Sequence, residues 1–308
     1  MSVTSKTAQR RATRGAVAKA VVGAEAIETK ATVRDRHIGA ALKHFGMTED
    51  NDEERHIYFF DTAKLDLLAA NVIARARRVI GEEHDSTVKF RPVDPAKVDM
   101  KWQRFPDFKI EVDASEKGMV KSASFSMPVK KGPIKRVASG DVAIEALFTP
   151  EQEEFLQSMA TRKVDYRRLV VLGPLHAHRW RHEDPACPWP ITAELWRRED
   201  GARLMELSIK APAVQAAAAI GGFRAYLAEL GAERDSDEQA KTRWALDYYA
   251  SRRPTAPPAR AAPPKQTGTK RPAATKPAAP RGVAKPRAAN QPAPAPAKAT
   301  RKATPPTR

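Results

Sequence analysis

Four basic residues alternate along two short β-like segments of the sequence, within the stretch ARARRVIGEEHDSTVKFRP at residues 74–92. Arg75 and Arg77 lie in the first segment, Lys89 and Arg91 lie in the second, and a polar turn joins the two. Successive side chains of a β-strand point to opposite faces, so each pair shares one face. A row of cations of this kind either faces water or binds an anionic ligand. The charge pattern of the neighbouring strands indicates which of the two applies.

The same period-two alternation of charged and apolar residues occurs in several other predicted strands. The charged members are Glu28 and Lys30 at 26–33, Glu111 and Asp113 at 108–115, Glu194 at 191–199, and Glu206 and Lys210 at 202–211. For one strand, a charged face in water and an apolar face on a core is the ordinary arrangement. In a closed barrel with helices packed outside, the apolar faces can instead turn outward and the charged faces can line a lumen.

A lumen of this composition predicts a specific class of ligand. Buried charges are costly unless they are paired or bind a ligand. Clustered Lys and Arg side chains suit a polyanion such as a triphosphate. Carboxylates beside them suit Mg²⁺ or Mn²⁺, which are hard cations that prefer oxygen ligands.

The elements that position these residues are mostly strands. The sequence predicts strands at 26–33, 56–62, 72–80, 86–93, 108–115, 119–129, 175–182, 191–199 and 202–211, and helices at 35–47, 149–160, 211–231 and 236–251. Thr149, Pro150 and the acids after them are typical of a helix start. Because helices do not follow strands one by one, we expect a mainly antiparallel β (α+β) fold. We predict a barrel of eight or nine strands with peripheral helices.

The basicity of the chain belongs to its two ends. The formal charge is +17, but residues 25–251 carry 35 Lys/Arg against all 37 Asp/Glu. Residues 1–24 contain five Lys/Arg and no acid, and residues 252–308 contain fourteen Lys/Arg, fourteen prolines and no acid. We predict a disordered basic arm at 1–24, one folded domain at 25–251 and a disordered tail at 252–308. The tail either contacts nucleic acid or polyphosphate non-specifically or only improves solubility.

One cysteine, Cys187, excludes an intramolecular disulfide and suits a reducing compartment. The sequence contains no run of about 18 apolar residues, the length that predicts a membrane span. We therefore expect a cytoplasmic protein without membrane contact.

Several segments resemble the CYTH superfamily, also called triphosphate tunnel metalloenzymes, in a bacterial branch. The matching segments are YFFDTAKLDLLAANVIARARR, STVKFRPV, FKIEVDAS, ALFTPEQEEFL, VVLGPL, TAELWRREDGARLMELSIK and EQAKTRWALDYYA. Their order and spacing fit from about Ile27 to Ala250. The superfamily includes class IV adenylate cyclases, thiamine triphosphatases, inorganic triphosphatases and RNA triphosphatases.

The resemblance implies a closed tunnel of eight antiparallel strands that hydrolyses or cyclises a triphosphate with a divalent metal. By position, it implies phosphate contacts for Lys30, Arg75, Arg77, Lys89, Arg91 and Lys210. It implies metal binding, directly or through water, or a role in holding the cations, for Glu28, Glu111, Asp113, Glu194 and Glu206.

The first strand departs from the pattern of the family. The family carries Glu-x-Glu-x-Lys, whereas this chain has Ala26, Glu28 and Lys30. Glu25 is adjacent but has the wrong parity, and only a β-bulge would bring it to the same face. The loss affects catalysis more than phosphate binding. A non-catalytic module that binds polyphosphate or nucleotide therefore remains the alternative, and the sequence does not choose between cyclase and hydrolase.

Other catalytic motifs are weak or absent in the sequence. His176, His178, His182 and Cys187 invite a zinc interpretation, but their spacing matches no established zinc pattern and Trp180 shares their face. The sequence contains neither the phosphate-binding loop motif nor a G-x-S-x-G nucleophile motif. Cys187 has no supporting motif as a nucleophile.

Overall fold

A computed structural model of the protein describes residues 15–115, 117–230 and 241–252. Nine strands form a closed barrel. They are β1 (Ala26–Val33), β2 (Glu53–Asp61), β3 (Val72–Val79), β4 (His84–Phe90), β5 (Phe108–Ser115), β6 (Gly118–Val129), β7 (Val170–Asp184), β8 (Cys187–Arg197) and β9 (Arg203–Pro212). The mainly β barrel that the alternating segments predict is confirmed.

The number of strands corrects the tunnel of eight antiparallel strands that the resemblance implies. The order round the ring is β1-β5-β6-β4-β3-β2-β7-β8-β9. Each antiparallel neighbour reverses the strand direction, so an odd ring cannot close with antiparallel pairs alone. The pair β1–β5 is parallel, and the other eight pairs are antiparallel. All nine predicted strands take a place in the ring, which the parallel pair β1–β5 closes.

Helices cover the outer face of the barrel. The helices are α1 (Asp35–His44), α2 (Asp66–Ala69), α3 (Lys131–Ala138), α4 (Pro150–Met159), α5 (Ala216–Glu229) and α6 (Lys241–Ser251), with 3₁₀ turns at Pro95–Lys97, Met100–Arg104, Ile144–Leu147, Tyr166–Arg168 and Ala213–Gln215. One outer core joins Ile27 and Ile209 to Phe223 of α5. A second joins Val88 to Phe155 of α4. Apolar residues of these strands therefore turn outward against the helices, as the barrel interpretation requires.

Helix α4 begins where the sequence predicts and ties the outer layer to the strands. Thr149 and Gln152 form a reciprocal capping box, and Pro150 occupies the first turn. The buried Gln152 side chain donates to the carbonyl oxygens of Ser86 and Phe125, at 3.1 and 3.0 Å. These two bonds fix α4 against β4 and β6.

Helix α6 packs against inward-facing apolar residues at one end of the barrel. Ile57, Phe59 and Trp196 share a buried cluster with Leu246 and neighbouring residues of α6. A register shift between β2 and β7 lies beside this cluster, at Gly173 (φ +133°). A Cβ at this glycine would lie 2.7 Å from the carbonyl oxygen of Ile57. The close approach therefore requires glycine there.

The ends of the chain are described only in part. Residues 15–20, within the predicted arm, are helical, and Val17 is buried in the outer core. Residues 1–14 of the arm and residues 253–308 of the tail lie outside the described residues. Among the residues that the structure describes, no helix combines the length and apolar composition that a membrane crossing requires.

Candidate functional site

The barrel encloses a cavity of about 660 Å³. This volume lies within the range of about 300–1,000 Å³ that is typical of small-molecule sites. The cavity lining includes all eleven residues that the sequence picks out: Glu28, Lys30, Arg75, Arg77, Lys89, Arg91, Glu111, Asp113, Glu194, Glu206 and Lys210. The alternation on separate strands thus brings these side chains into one chamber, while their roles in binding and catalysis stay predictions.

The strand register explains why the charged faces meet. Residues that are opposite each other on neighbouring strands share a face. Glu28 of β1 is opposite Asp113 of β5 and Lys210 of β9, and Glu206 of β9 is opposite Glu194 of β8. Once one strand has its charged face inward, the register places the charged faces of its neighbours inward as well.

Asp113 lies at the centre of one charge cluster in the lumen. Its carboxylate lies 3.2 Å from Lys30 Nζ, 3.4 Å from Lys89 Nζ and 3.3 Å from Arg91 Nε, and its side chain is 2% exposed. Burial by itself would raise the pKa of Asp113, but the three cations outweigh it and hold the pKa well below its usual range. Lys30 also lies 2.8 Å from Glu28. Burial lowers the pKa of Lys89, although Asp113 opposes this effect.

A second cluster lies where α6 meets the barrel. Lys241 Nζ contacts Glu194 and lies 2.8 Å from Glu206, and it sits 4.7 Å from the centre of the Trp196 ring. Arg55 Nη1 donates to the other oxygen of Glu194 at 3.3 Å. Burial would lower the pKa of Lys241, but the two carboxylates outweigh it and raise that pKa. The same cations lower the pKa of Glu194, against the effect of burial.

Three further carboxylates in or beside the lumen are also paired. Glu111 contacts Lys210, whose side chain is about half exposed. Outside the cavity lining, Asp85 lies 2.8 Å from Arg77 Nε, and Glu53 contacts Arg55. The anions of this region therefore all have a cationic partner in the part of the chain described.

Arg75 differs from the other cations that the sequence picks out because it forms no ion pair with a carboxylate of the described residues. Its Nε is buried and has no hydrogen-bond partner among the described residues. Burial and the nearby Arg77 lower the pKa of Arg75 to about 10. A buried donor without an acceptor is costly, and an anionic ligand in the lumen would supply the acceptor.

The sequence interpretation missed several cations of the lumen. Arg55, Lys109, Lys117, Arg179, Arg181 and Lys241 also line the cavity, which brings its content to twelve Lys/Arg against five Asp/Glu. Arg179 and Arg181 alternate with the outward Trp180, so their parity could have revealed them. Lys241 could not be found this way, because the packing of α6 places it. The lining carries an excess of seven positive charges.

The donor set fits a divalent cation only in part. Five carboxylates offer the oxygen ligands that Mg²⁺ and Mn²⁺ prefer. Ala26 lies in register with Glu111 and removes the carboxylate that the family pattern would place there. The pairing of β1 with β9 runs from Ala26 to Val33 without a register shift, so no bulge brings Glu25 to this face. A metal would bind through Glu28, Glu111, Asp113, Glu194 or Glu206. Each of these carboxylates is already paired with a basic side chain, and the metal would compete with that ion pair.

Two histidines, His56 and His176, form a cluster with Glu54 on the outer face. Of the residues considered for zinc in the sequence, only His176 belongs to this cluster. Ligand atoms of Glu54, His56 and His176 lie within 4.8 Å of one another, and Cys187 is buried in the outer core. Arg78 Nη1 lies 3.4 Å from His56 Nδ1, and Glu54 Oε1 lies 2.9 Å from His56 Nε2. Both ring nitrogens of His56 therefore already have a polar partner, Arg78 at Nδ1 and Glu54 at Nε2.

Two solved structures share the fold of this chain. A proposed adenylate cyclase from Bacillus halodurans matches with a TM-score of 0.51 and 14% identity, over 72% of this chain and 97% of that protein. A proposed adenylyl cyclase from Hippeastrum, with a dominant triphosphatase activity, matches with a TM-score of 0.51 and 13% identity, over 71% of this chain and 93% of that protein. No protein-family model and no curated protein matches the sequence. The likeness shows that this chain shares its fold with these two proteins.

Proposed function

We propose that the barrel lumen binds a triphosphate-containing compound and hydrolyses it with the help of a divalent cation. The observation that carries this proposal is the lining of the cavity of about 660 Å³, in which Lys/Arg outnumber Asp/Glu by seven and the buried Nε of Arg75 has no acceptor among the described residues. Burial of unpaired charge is unfavourable unless a ligand compensates it. A triphosphate has the charge and the acceptor oxygens to do so. The triphosphatase activity of the Hippeastrum protein, which shares the fold, supports the same ligand class.

Each group of lumen residues has a distinct role in this proposal. Arg75, Arg77, Lys89, Arg91 and Lys210 donate to phosphate oxygens and spread their charge. Lys30 holds Glu28 and Asp113 in place. Mg²⁺ or Mn²⁺, when bound by the carboxylates, would neutralise the charge that develops on the phosphate oxygens. Cyclisation of a nucleoside triphosphate would need the same contacts, with a ribose hydroxyl instead of water.

A non-catalytic binding module is the second candidate, and two observations favour it. Ala26 leaves Glu111 without the neighbouring carboxylate of the family pattern. The ammonium of Lys241 lies between Glu194 and Glu206. Both features weaken the donor set for a metal and leave the phosphate-binding cations in place. In this alternative, the basic tail at 252–308 tethers the barrel to nucleic acid or polyphosphate.

Calorimetry and phosphate release separate the two candidates. Tripolyphosphate and nucleoside triphosphates are titrated into the full chain, and phosphate release is then measured for each with Mg²⁺ and with Mn²⁺. Binding with turnover supports the enzyme, and binding without turnover supports the module. Absence of binding for every ligand would show that the lumen is not a triphosphate site. The same titrations on a chain that ends at residue 252 show whether affinity depends on the tail.

A further inference from the structure

We propose that the ammonium group of Lys241 takes the place of a divalent cation between Glu194 and Glu206. The inference rests on the proposed function and concerns how its site handles metal. Its consequence is that this end of the lumen excludes Mg²⁺ and Mn²⁺.

The two carboxylates need a cation between them. Glu194 and Glu206 are opposite each other on β8 and β9, where Cβ atoms of paired residues lie about 4.5–5.5 Å apart. Their side chains are only 18% and 9% exposed. Like charges that are close and shielded from water repel strongly. Either a metal ion or a basic side chain can remove this repulsion.

Lys241 already provides this cation. Its Nζ contacts Glu194, lies 2.8 Å from Glu206 and faces the ring of Trp196. The side chain is 13% exposed, so the ammonium is held in the lumen and not in solvent. Glu194 also accepts from Arg55 at 3.3 Å. Glu206 also lies 4.0 Å from Lys30 Nζ. The two carboxylates therefore have three basic partners, which already compensate their negative charge without a metal ion.

The packing of α6 makes this cation hard to displace. Lys241 begins α6, and the apolar face of that helix packs on Ile57, Phe59 and Trp196. A group that is tethered in this way competes at a high effective concentration, of millimolar order or above. A free metal ion must displace the ammonium and meet the positive charge of Arg55.

The test measures Mn²⁺ binding directly by calorimetry, on chelator-treated full-length protein without phosphate. The variant Lys241→Gln removes the ammonium, and Lys109→Gln removes another lumen charge as the matched control. Lys109 is exposed and pairs with no carboxylate among the described residues. We expect Lys241→Gln to bind Mn²⁺ at least tenfold more tightly than the wild type. We expect Lys109→Gln to stay within about threefold of the wild type, and the double variant Lys241→Gln/Glu206→Gln to lose the gain.

Three results would overturn the inference. The first is an unchanged Mn²⁺ affinity in Lys241→Gln, the second is an equal gain in Lys109→Gln, and the third is a gain that survives Glu206→Gln. If Lys241→Gln does not fold, wild type and Glu206→Gln are compared instead. Equal Mn²⁺ affinity supports the inference, and a site that Glu206→Gln removes contradicts it. Failure of tripolyphosphate binding would contradict the proposed function alone, because the Mn²⁺ titrations contain no phosphate.

Discussion

Replacement of Arg75 by methionine should stabilise the ligand-free protein and weaken its binding of tripolyphosphate. The Nε of Arg75 is buried without a partner among the described residues, and no acid of the lumen compensates it closely. Methionine keeps much of the length of the side chain and removes the charge. The wild-type residue therefore costs stability until a phosphate ligand arrives.

The pKa of Arg75 gives the size of this cost. It is about 10 in the folded protein, and an arginine in an unfolded chain has a pKa of about 12.5 or higher. Each pKa unit corresponds to about 1.4 kcal/mol, so the charged form costs up to about 3 kcal/mol on folding. The side chain retains some exposure to the lumen, and methionine packs less well there. We therefore expect a net gain of about 1–2 kcal/mol in unfolding free energy, or roughly 2–8 °C in Tm for a domain of this size.

The loss of affinity follows from the lost charge-assisted hydrogen bonds. Such bonds contribute about 1.5–3 kcal/mol, so Arg75→Met should bind tripolyphosphate about 10- to 100-fold more weakly. Thermal unfolding and calorimetry with tripolyphosphate measure the two effects on one sample. Arg78→Met is the matched control, because Arg78 lies on the same strand with a buried, unpartnered Nε but does not line the cavity. Unchanged affinity in Arg75→Met, or a lower Tm than the wild type, would refute the reasoning.

Three more predictions concern the same chamber. Lys30→Met should lower the unfolding free energy in urea by about 3 kcal/mol, because the buried Asp113 loses one of its cations; an unchanged midpoint would contradict this role. Tripolyphosphate affinity should fall as the pH rises through about 10, where Arg75 loses its proton, and it should fall less in Arg75→Met; calorimetry of both proteins at a series of alkaline pH values checks this, and an equal fall in both would exclude Arg75 as a phosphate ligand, because lumen lysines titrate in the same range. Ala26→Glu should tighten Mn²⁺ binding, because it places a second carboxylate beside Glu111; the inward Ser124→Glu is its control, and an equal effect of both would point to charge alone.

Period-two reasoning found much of the lumen because parity is a local property of a strand. It identified Arg75 and Lys89 on different strands before any pairing was known, and both line the cavity. It did not find Arg55, because the predicted strand began at residue 56, whereas the strand of the structure begins at Glu53. It also did not predict that His176 lies beside Glu54 and His56, because these two residues lie more than a hundred residues away in the chain.

The sequence by itself determined which face of the charged strands carries the charge, where α4 begins and that the excess of positive charge lies at the two ends of the chain. These are consequences of side-chain order, capping chemistry and composition, which act over a few residues. The tertiary structure decided that the ring has nine strands, that one pair is parallel and that Lys241 reaches Glu194 and Glu206. Ring closure and the docking of α6 depend on contacts between residues far apart in the chain. A local pattern of charges therefore specifies the walls of the lumen, and only the closed barrel specifies which charges compensate one another inside it.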